Sequence, residues 1–233
     1  MDRRLALALA VCTAALGACS LGGLADRPLP CHDGTLIVPG LVAPVAILRD
    51  AWGVPHIYAE NAHDLFFAQG YTQAQDRWWQ MEFFRHVGRG SLSELIGEAG
   101  LADDVYFRTL RLHDTAAREI ALLEPGARAM LESFAEGVNV YLEGREPGEL
   151  AMEDAVLQLA GTELSVEPWS PADSLVFGKI VQMQQGMPMA GESAFQEIID
   201  RVGFERALYW SPPWPHGVKP AILGPDGKRL ETG

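Results

Sequence analysis

The chain has 233 residues, room for one or two domains of ordinary size. Its 48% hydrophobic and 21% charged residues are the balance of a soluble globular protein, which excludes a disordered tail or a collagen-like rod. A formal charge of −13 repels phosphate backbones and argues against nucleic-acid binding, and three cysteines are too few for a disulfide scaffold.

Arg3 and Arg4 precede an apolar run from Leu5 to Ala18, the length of a signal-peptide core and too short to span a bilayer as a helix. The run ends Leu16-Gly17-Ala18-Cys19, which resembles the lipobox of bacterial lipoproteins. Residues 1–18 are therefore expected to be a signal peptide and Cys19 to carry lipid; ordinary cleavage after Ala18 or Ala25 is the alternative. The expected location is periplasmic, touching a membrane only through the anchor on Cys19. Residues 19–44, rich in Gly, Pro and Leu without periodicity, read as a tether.

Residues 45–210 form the expected domain. Val45 to Arg49 is a short β-type run, the Gly and Pro of Asp50–Pro55 mark a turn, and His56 to Ala59 follow as a second strand. Asn61 is a helix cap with Asp64 three residues on. Phe67, Tyr71, Ala74, Trp78 and Met81 then recur at helical spacing, predicting one helix that ends near Gly88. Gln69, Gln73, Asp76 and Gln80 make a polar row opposite, while Leu65, Phe66, Trp79, Phe83 and Phe84 widen the apolar sector. So broad a sector predicts burial between layers.

A second helix is expected over 103–123 on Val105, Leu112, Ala116 and Ile120, and a third over 125–143, from Pro125 to a stop at Gly144. Ser170-Pro171-Ala172-Asp173 starts a helix that should run to about Gln185, and a last helical patch covers about 193–209 with a break at Gly203. Residues 211–233 read as coil. No internal repeat is evident.

The chain offers no self-contained catalytic signature. Gly191-Glu192-Ser193-Ala194-Phe195 begins like a nucleophile elbow but lacks the closing Gly. Gly88-Arg89-Gly90 has Ser93 where a dinucleotide fingerprint needs Gly, and reads as a turn. The six histidines show no close ligand pairing of the kind zinc sites use. His56 reads as a packed side chain satisfied by backbone, and Asp103-Asp104 and Glu94/Glu98 as helix-start and solvated charges.

Several blocks together resemble the N-terminal (α) part of the penicillin acylase family of N-terminal-nucleophile hydrolases. They are Ile47–Ala59, with Arg-Asp-x-x-Gly-Val-Pro-His-Ile; Phe67–Tyr71; Ala74–Glu82, with Ala-Gln-Asp-Arg; and Gly90–Gly97. Phe134–Asn139 and Trp169–Asp173 are fainter echoes. The resemblance implies an α+β fold, mostly helical, the α-chain part of an αββα hydrolase with short strands near 45–59. It implies amide hydrolysis in which a precursor cuts itself and the freed N-terminal residue of a β chain attacks the acyl carbonyl, with its own α-amino group as base. Gly233 would stand directly before that residue, expected to be Ser, with Thr or Cys as the alternatives. The partners implied are the β chain, in a heterodimer, and a small-molecule N-acyl amide. No catalytic residue falls within this chain.

By the same resemblance, the helix after Trp169–Asp173 reaches the acyl pocket. Met183 and Gln184 stand where phenylacetyl-specific members carry Arg-Phe, and Met187 and Met189 follow. Clustered methionines suit an adaptable apolar cavity, and Met183, Gln184 and Met187 are the expected substrate-binding residues; ordinary core filling is the alternative. The family also binds Ca²⁺, mainly through β-chain oxygens. Glu192 is the expected α-chain ligand, with Glu197 as the alternative. A rival from another class is a non-catalytic lipoprotein binding module, a decayed relative of the acylases.

Overall fold

The strand–turn–strand entry is an antiparallel hairpin in the computed structural model, which describes residue 29, residues 33–185 and residues 189–210. Strands β1 (Ala46–Arg49) and β2 (Pro55–Tyr58) pair Leu48 with His56 and Ile47 with Ile57. The turn closes because Asp50 Oδ1 accepts the backbone N–H groups of Trp52 (2.8 Å) and Val54 (3.0 Å), the role a short carboxylate plays in an Asx turn.

Helix α1 (Ala62–Arg89) begins where Asn61 caps it, its side chain accepting the Asp64 N–H at 2.9 Å. It ends at Gly90, whose φ of 68° needs a residue without Cβ. Four of the five positions that set the helical spacing, Phe67, Ala74, Trp78 and Met81, are buried, and the polar row Gln69, Gln73, Asp76 and Gln80 is exposed. The helix is broken at Arg77 (φ −142°, ψ 26°), a departure from the continuous helix expected. No Pro or Gly stands there. The break lies beside Asp76, which the Arg49 guanidinium of β1 holds through two hydrogen bonds of 2.8 and 2.9 Å. Burial is less complete than the sequence suggested: Phe66, Trp79, Phe83 and Phe84 are half-buried and Leu65 is exposed.

After a one-turn helix α2 (Ser93–Ile96) and a 3₁₀ turn (Gly97–Gly100), the helix predicted over 103–123 is two. Helices α3 (Leu101–Leu110) and α4 (Leu112–Glu119) meet at Arg111, which sits at φ 54° and is braced by its own bonds to Asp114. The break separates Val105, which is exposed, from Ala116, which is buried. Asp104 is not merely a helix-start charge. It is buried, and it accepts the backbone N–H of Leu92 and both the N–H and hydroxyl of Ser93, so it caps the neighbouring helix α2.

Helix α5 (Pro125–Leu142) crosses α1 with the backbones in contact. A Cβ on Gly70 would lie 2.0 Å from the Phe134 carbonyl oxygen, and one on Gly137 would lie 1.8 Å from that of Phe67. The crossing lets Ala74, Trp78 and Met81 share one core with Val138, Tyr141, Leu142, Leu150 and Trp169. Each large side chain buried there contributes about 1.5–3 kcal/mol.

Two further helices were not expected, α6 (Pro147–Leu150) and α7 (Met152–Leu159). Glu146 and Glu149 form a reciprocal capping box at α6, a signal present in the sequence. Helix α8 (Pro171–Gln185) packs Val176 and Ile180 against Ala116 of α4 and the end of α1. Contacts divide the chain after Val181. In the second unit, α9 (Met189–Val202) begins four residues earlier than predicted and meets α10 (Phe204–Trp210) at Gly203, whose φ is +83°. Among the described residues no helix is long and apolar enough to cross a membrane. The signal peptide, Cys19 and the coil 211–233 lie outside the described residues.

Candidate functional site

Helix α8 carries the expected acyl-pocket residues at one end and is fixed at the other by a polar clamp. Asn139 of α5 grips the backbone of Trp169 from both sides, its amide donating to the carbonyl at 2.9 Å and its Oδ1 accepting the N–H at 2.7 Å. The Trp169 indole N–H donates to Ser174 Oγ at 2.9 Å. Asp173, buried in the first turn, accepts the Ser170 N–H (2.8 Å) and hydroxyl (2.7 Å), and Arg89 from α1 reaches it at 3.0 Å. Arg89 also holds Glu167 at 2.6 Å. Contacts from α1 and α5 thus fix the base of α8.

Met183 and Gln184 lie on the last turn of α8, Met183 half-buried and Gln184 exposed. Met187 lies outside the described residues. Glu192 falls within α9, its side chain outside the described atoms, and the alternative ligand Glu197 is exposed and 3.7 Å from Arg201. Among the described residues no group of three His, Cys, Asp or Glu could hold a metal ion. Ser193 sits inside helix α9, away from any strand-to-helix turn, so it is not at a nucleophile elbow.

One arrangement that the sequence did not suggest has the outline of a catalytic relay. His86 Nδ1 is 2.8 Å from Ser91 Oγ, and His86 Nε2 is 3.3 Å from Glu82 Oε1. Its hydrogen bonding argues against proton abstraction. The same Nδ1 is 3.1 Å from the Ser91 carbonyl, which can only accept, so the imidazole N–H points at Ser91 and cannot take its proton. Burial works against the charged imidazole, but the bond and charge of Glu82 outweigh it and lift the His86 pKa. Glu82 is in turn held below the usual carboxylate range: burial opposes this, and His86 and Arg85 prevail.

Arg85 is buried between the rings of Trp78 and Trp169, 5.6 and 5.7 Å from their centres, and donates to the carbonyls of Glu167 and Pro168 at 3.1 Å. It ties α1 to the segment leading into α8. Beside it, a small polar cavity of about 60 Å³ is lined by Trp78, Glu82, His86 and Asp154, with Glu94, Glu163 and Glu167 at its edge. Asp154 is buried, and burial, reinforced by the charges of Glu82 and Glu153, pushes its carboxyl up to about 7.

An open cleft of about 1060 Å³ lies between the hairpin turn and α1. It is lined by Trp52 and Val54 of the turn and by Gln69, Gln73, Trp79 and Gln80 of α1. Trp52 is 91% exposed. His56 is not the packed histidine expected: it is exposed, 3.3 Å from Asp50, because its strand position faces away from α1.

The sequence pattern of the penicillin amidase family matches residues 44–221. The penicillin acylase 2 proenzyme of Pseudomonas sp. (strain SE83) is 37% identical over 147 residues, covering 63% of this chain and 18% of that protein. The acyl-homoserine lactone acylase QuiP of Pseudomonas aeruginosa is 31% identical over 187 residues, 80% of this chain and 21% of its own length. The chain therefore spans about a fifth of the length of these curated relatives. Among solved structures, the thermostable penicillin G acylase from Alcaligenes faecalis superposes with a TM-score of 0.57 at 25% identity, over 79% of this chain and 98% of that one.

Proposed function

Because the chain belongs to the penicillin amidase family, we propose that it is the α subunit of an exported amidohydrolase that cleaves N-acyl amides. The substrate class is a β-lactam side chain, an acyl-homoserine lactone or a similar amide, and the nucleophile is the first residue of a β chain following Gly233. The observation that carries the reading is the extent of the match. The family pattern spans residues 44–221, while the matched part covers only about a fifth of each relative's length and one relative is named a proenzyme.

In this reading the β chain does the bond-breaking. Its N-terminal hydroxyl adds to the acyl carbonyl, the α-amine takes the proton and passes it to the leaving amine, and water then hydrolyses the ester. An α-amine with a pKa of about 8 can do this near neutral pH. This chain contributes shape: α8, clamped at its base, presents Met183 and Gln184, with Met187 beyond, to the acyl group. Calcium, where bound, is held mainly by β-chain oxygens, with Glu192 as this chain's ligand to a metal that takes six to eight oxygens.

The test is to produce this chain together with the remainder of its precursor and assay acyl amides of graded chain length. Hydrolysis that disappears when the β-chain N-terminal residue is changed to Ala is the expected result. A well-folded assembly that cleaves none of them would overturn the reading in favour of a non-catalytic binding module.

A further inference from the structure

The hairpin is unfinished as a sheet. Two strands of four residues are marginal in water, and here one face is bare: Leu48 and Tyr58 are each 60% exposed, with His56 beside them. An exposed apolar strand edge is a liability that folded proteins cover.

The register shows which edge is open. Asp50 N–H donates to the Val54 carbonyl at 3.2 Å, and this fixes the phase of the antiparallel ladder. Pairs alternate between bonded and non-bonded, so Leu48–His56 and Ala46–Tyr58 exchange backbone bonds. Ile47 and Arg49 on β1, and Pro55 and Ile57 on β2, turn their N–H and C=O groups outward. Pro55 has no N–H, which leaves the outer edge of β2 short of a donor. The outer edge of β1 is complete, and no backbone bond to it is found among the described residues. Next to it, a cavity of about 230 Å³ lies between β1, the segment 33–41 and α1, lined by Leu36, Ile47, Phe67 and Tyr71 and by the polar side chains of Asp33 and Arg49.

We propose that the outer edge of β1 is a strand-docking edge, at which a β-strand of the companion β chain extends the hairpin and places one apolar side chain in the cavity beside Ile47. The occupant is assigned to the β chain because about four-fifths of the length of the relatives lies outside this chain. An open ladder supplies affinity through backbone bonds, and a neighbouring cavity supplies selectivity through alternate side chains. The inference rests on the reading of the chain as an acylase α subunit and names the contact through which the two parts associate.

Hydrogen exchange on the assembled protein tests it. The Ile47 and Arg49 amides have no bond within the hairpin, so a docked strand should slow their exchange by about 100-fold or more relative to an unprotected peptide. A photo-crosslinking residue at Leu48 should capture a β-chain peptide. Exchange near the unprotected rate, or capture of residues 1–32, residues 211–233 or a second copy of this chain, overturns the proposal. Loss of the acylase reading would appear separately, as an assembly inactive on acyl amides whatever the protection at Ile47. Where Ile47→Pro impairs assembly, Ile57→Pro is the control: it removes the corresponding outward amide of β2 and should have the smaller effect on α–β affinity.

Discussion

Asp154 gives the sharpest test of the buried polar network. Asp154 is 3% exposed, lines a small cavity together with Glu82, and is hydrogen-bonded by the Trp78 indole. A rise from 3.8 to about 7 corresponds to about 4 kcal/mol of native-state preference for the proton. The sign follows from proton counting. Native Asp154 keeps its proton up to about pH 7, whereas the unfolded chain loses it near 3.8, so between these values the unfolded state binds fewer protons. Stability therefore falls as pH rises through that window and is constant in this respect above it.

Asp154→Asn keeps an acceptor for Trp78 and removes the charge. The variant should match the parent near about pH 4 and exceed it by about 4 kcal/mol above about pH 7, with half of the gain present near about pH 5.5. Urea unfolding of the full assembled protein, followed by tryptophan fluorescence across that range, measures the difference. A gain that does not change with pH, or a loss at pH 8, refutes the assignment of a buried, proton-retaining acid.

Four other outcomes are expected. Gly70→Ala and Gly137→Ala should each cost about 1–3 kcal/mol or more in thermal unfolding, since the new methyl meets backbone that cannot turn aside. Arg85→Met should destabilise by about 3–5 kcal/mol, because buried Glu82 loses its Arg85 partner and keeps only the longer contact to His86; Glu82→Gln in the same background should recover part of the loss. Met183→Ala should shift the preferred acyl length in kcat/KM without lowering the melting temperature by more than a few degrees; an unchanged preference counts against the pocket role. Palmitate labelling should be lost in Cys19→Ala, and labelling that persists removes the anchor.

Much of the scaffold was legible in the sequence because it rests on local rules. The Asn61 cap, the Pro125 start and the Gly203 break are each decided by one residue's backbone chemistry, and the stop expected near Gly88 falls two residues on, at Gly90. What escaped is non-local. Arg111 breaks the helix predicted over 103–123 because the core beneath it calls for a new direction, and no Gly or Pro announces it. Asp104 reads as a dipole partner of its own helix, yet it caps another helix twelve residues upstream. His56 reads as packed only until the register shows which face it shares with Leu48. Asp154 is one acid among 31 Asp and Glu until Trp78 and Glu82 enclose it.

The family blocks themselves change meaning in the fold. Phe67-Ala68-Gln69-Gly70 and Phe134-Ala135-Glu136-Gly137 are nearly the same tetrapeptide, in helices 67 residues apart in sequence, and each glycine lies against the other block's phenylalanine carbonyl. The similarity is what a reciprocal crossing demands. Each helix must present a gap where the other presents backbone, and must follow it with side chains that seal the seam. Asn139, two residues beyond Gly137, then reaches Trp169 and fixes the base of α8. The crossing, the clamp and the helix that carries Met183 are consecutive links in one chain of contacts. Under the proposed function, a change at Gly70 or Gly137 should therefore be felt at the proposed acyl-binding residue Met183 through Asn139 and the base of α8. Variants of either glycine that still fold should alter acyl-length preference in the same direction as Asn139→Ala. Opposite or absent shifts would separate the crossing from the pocket.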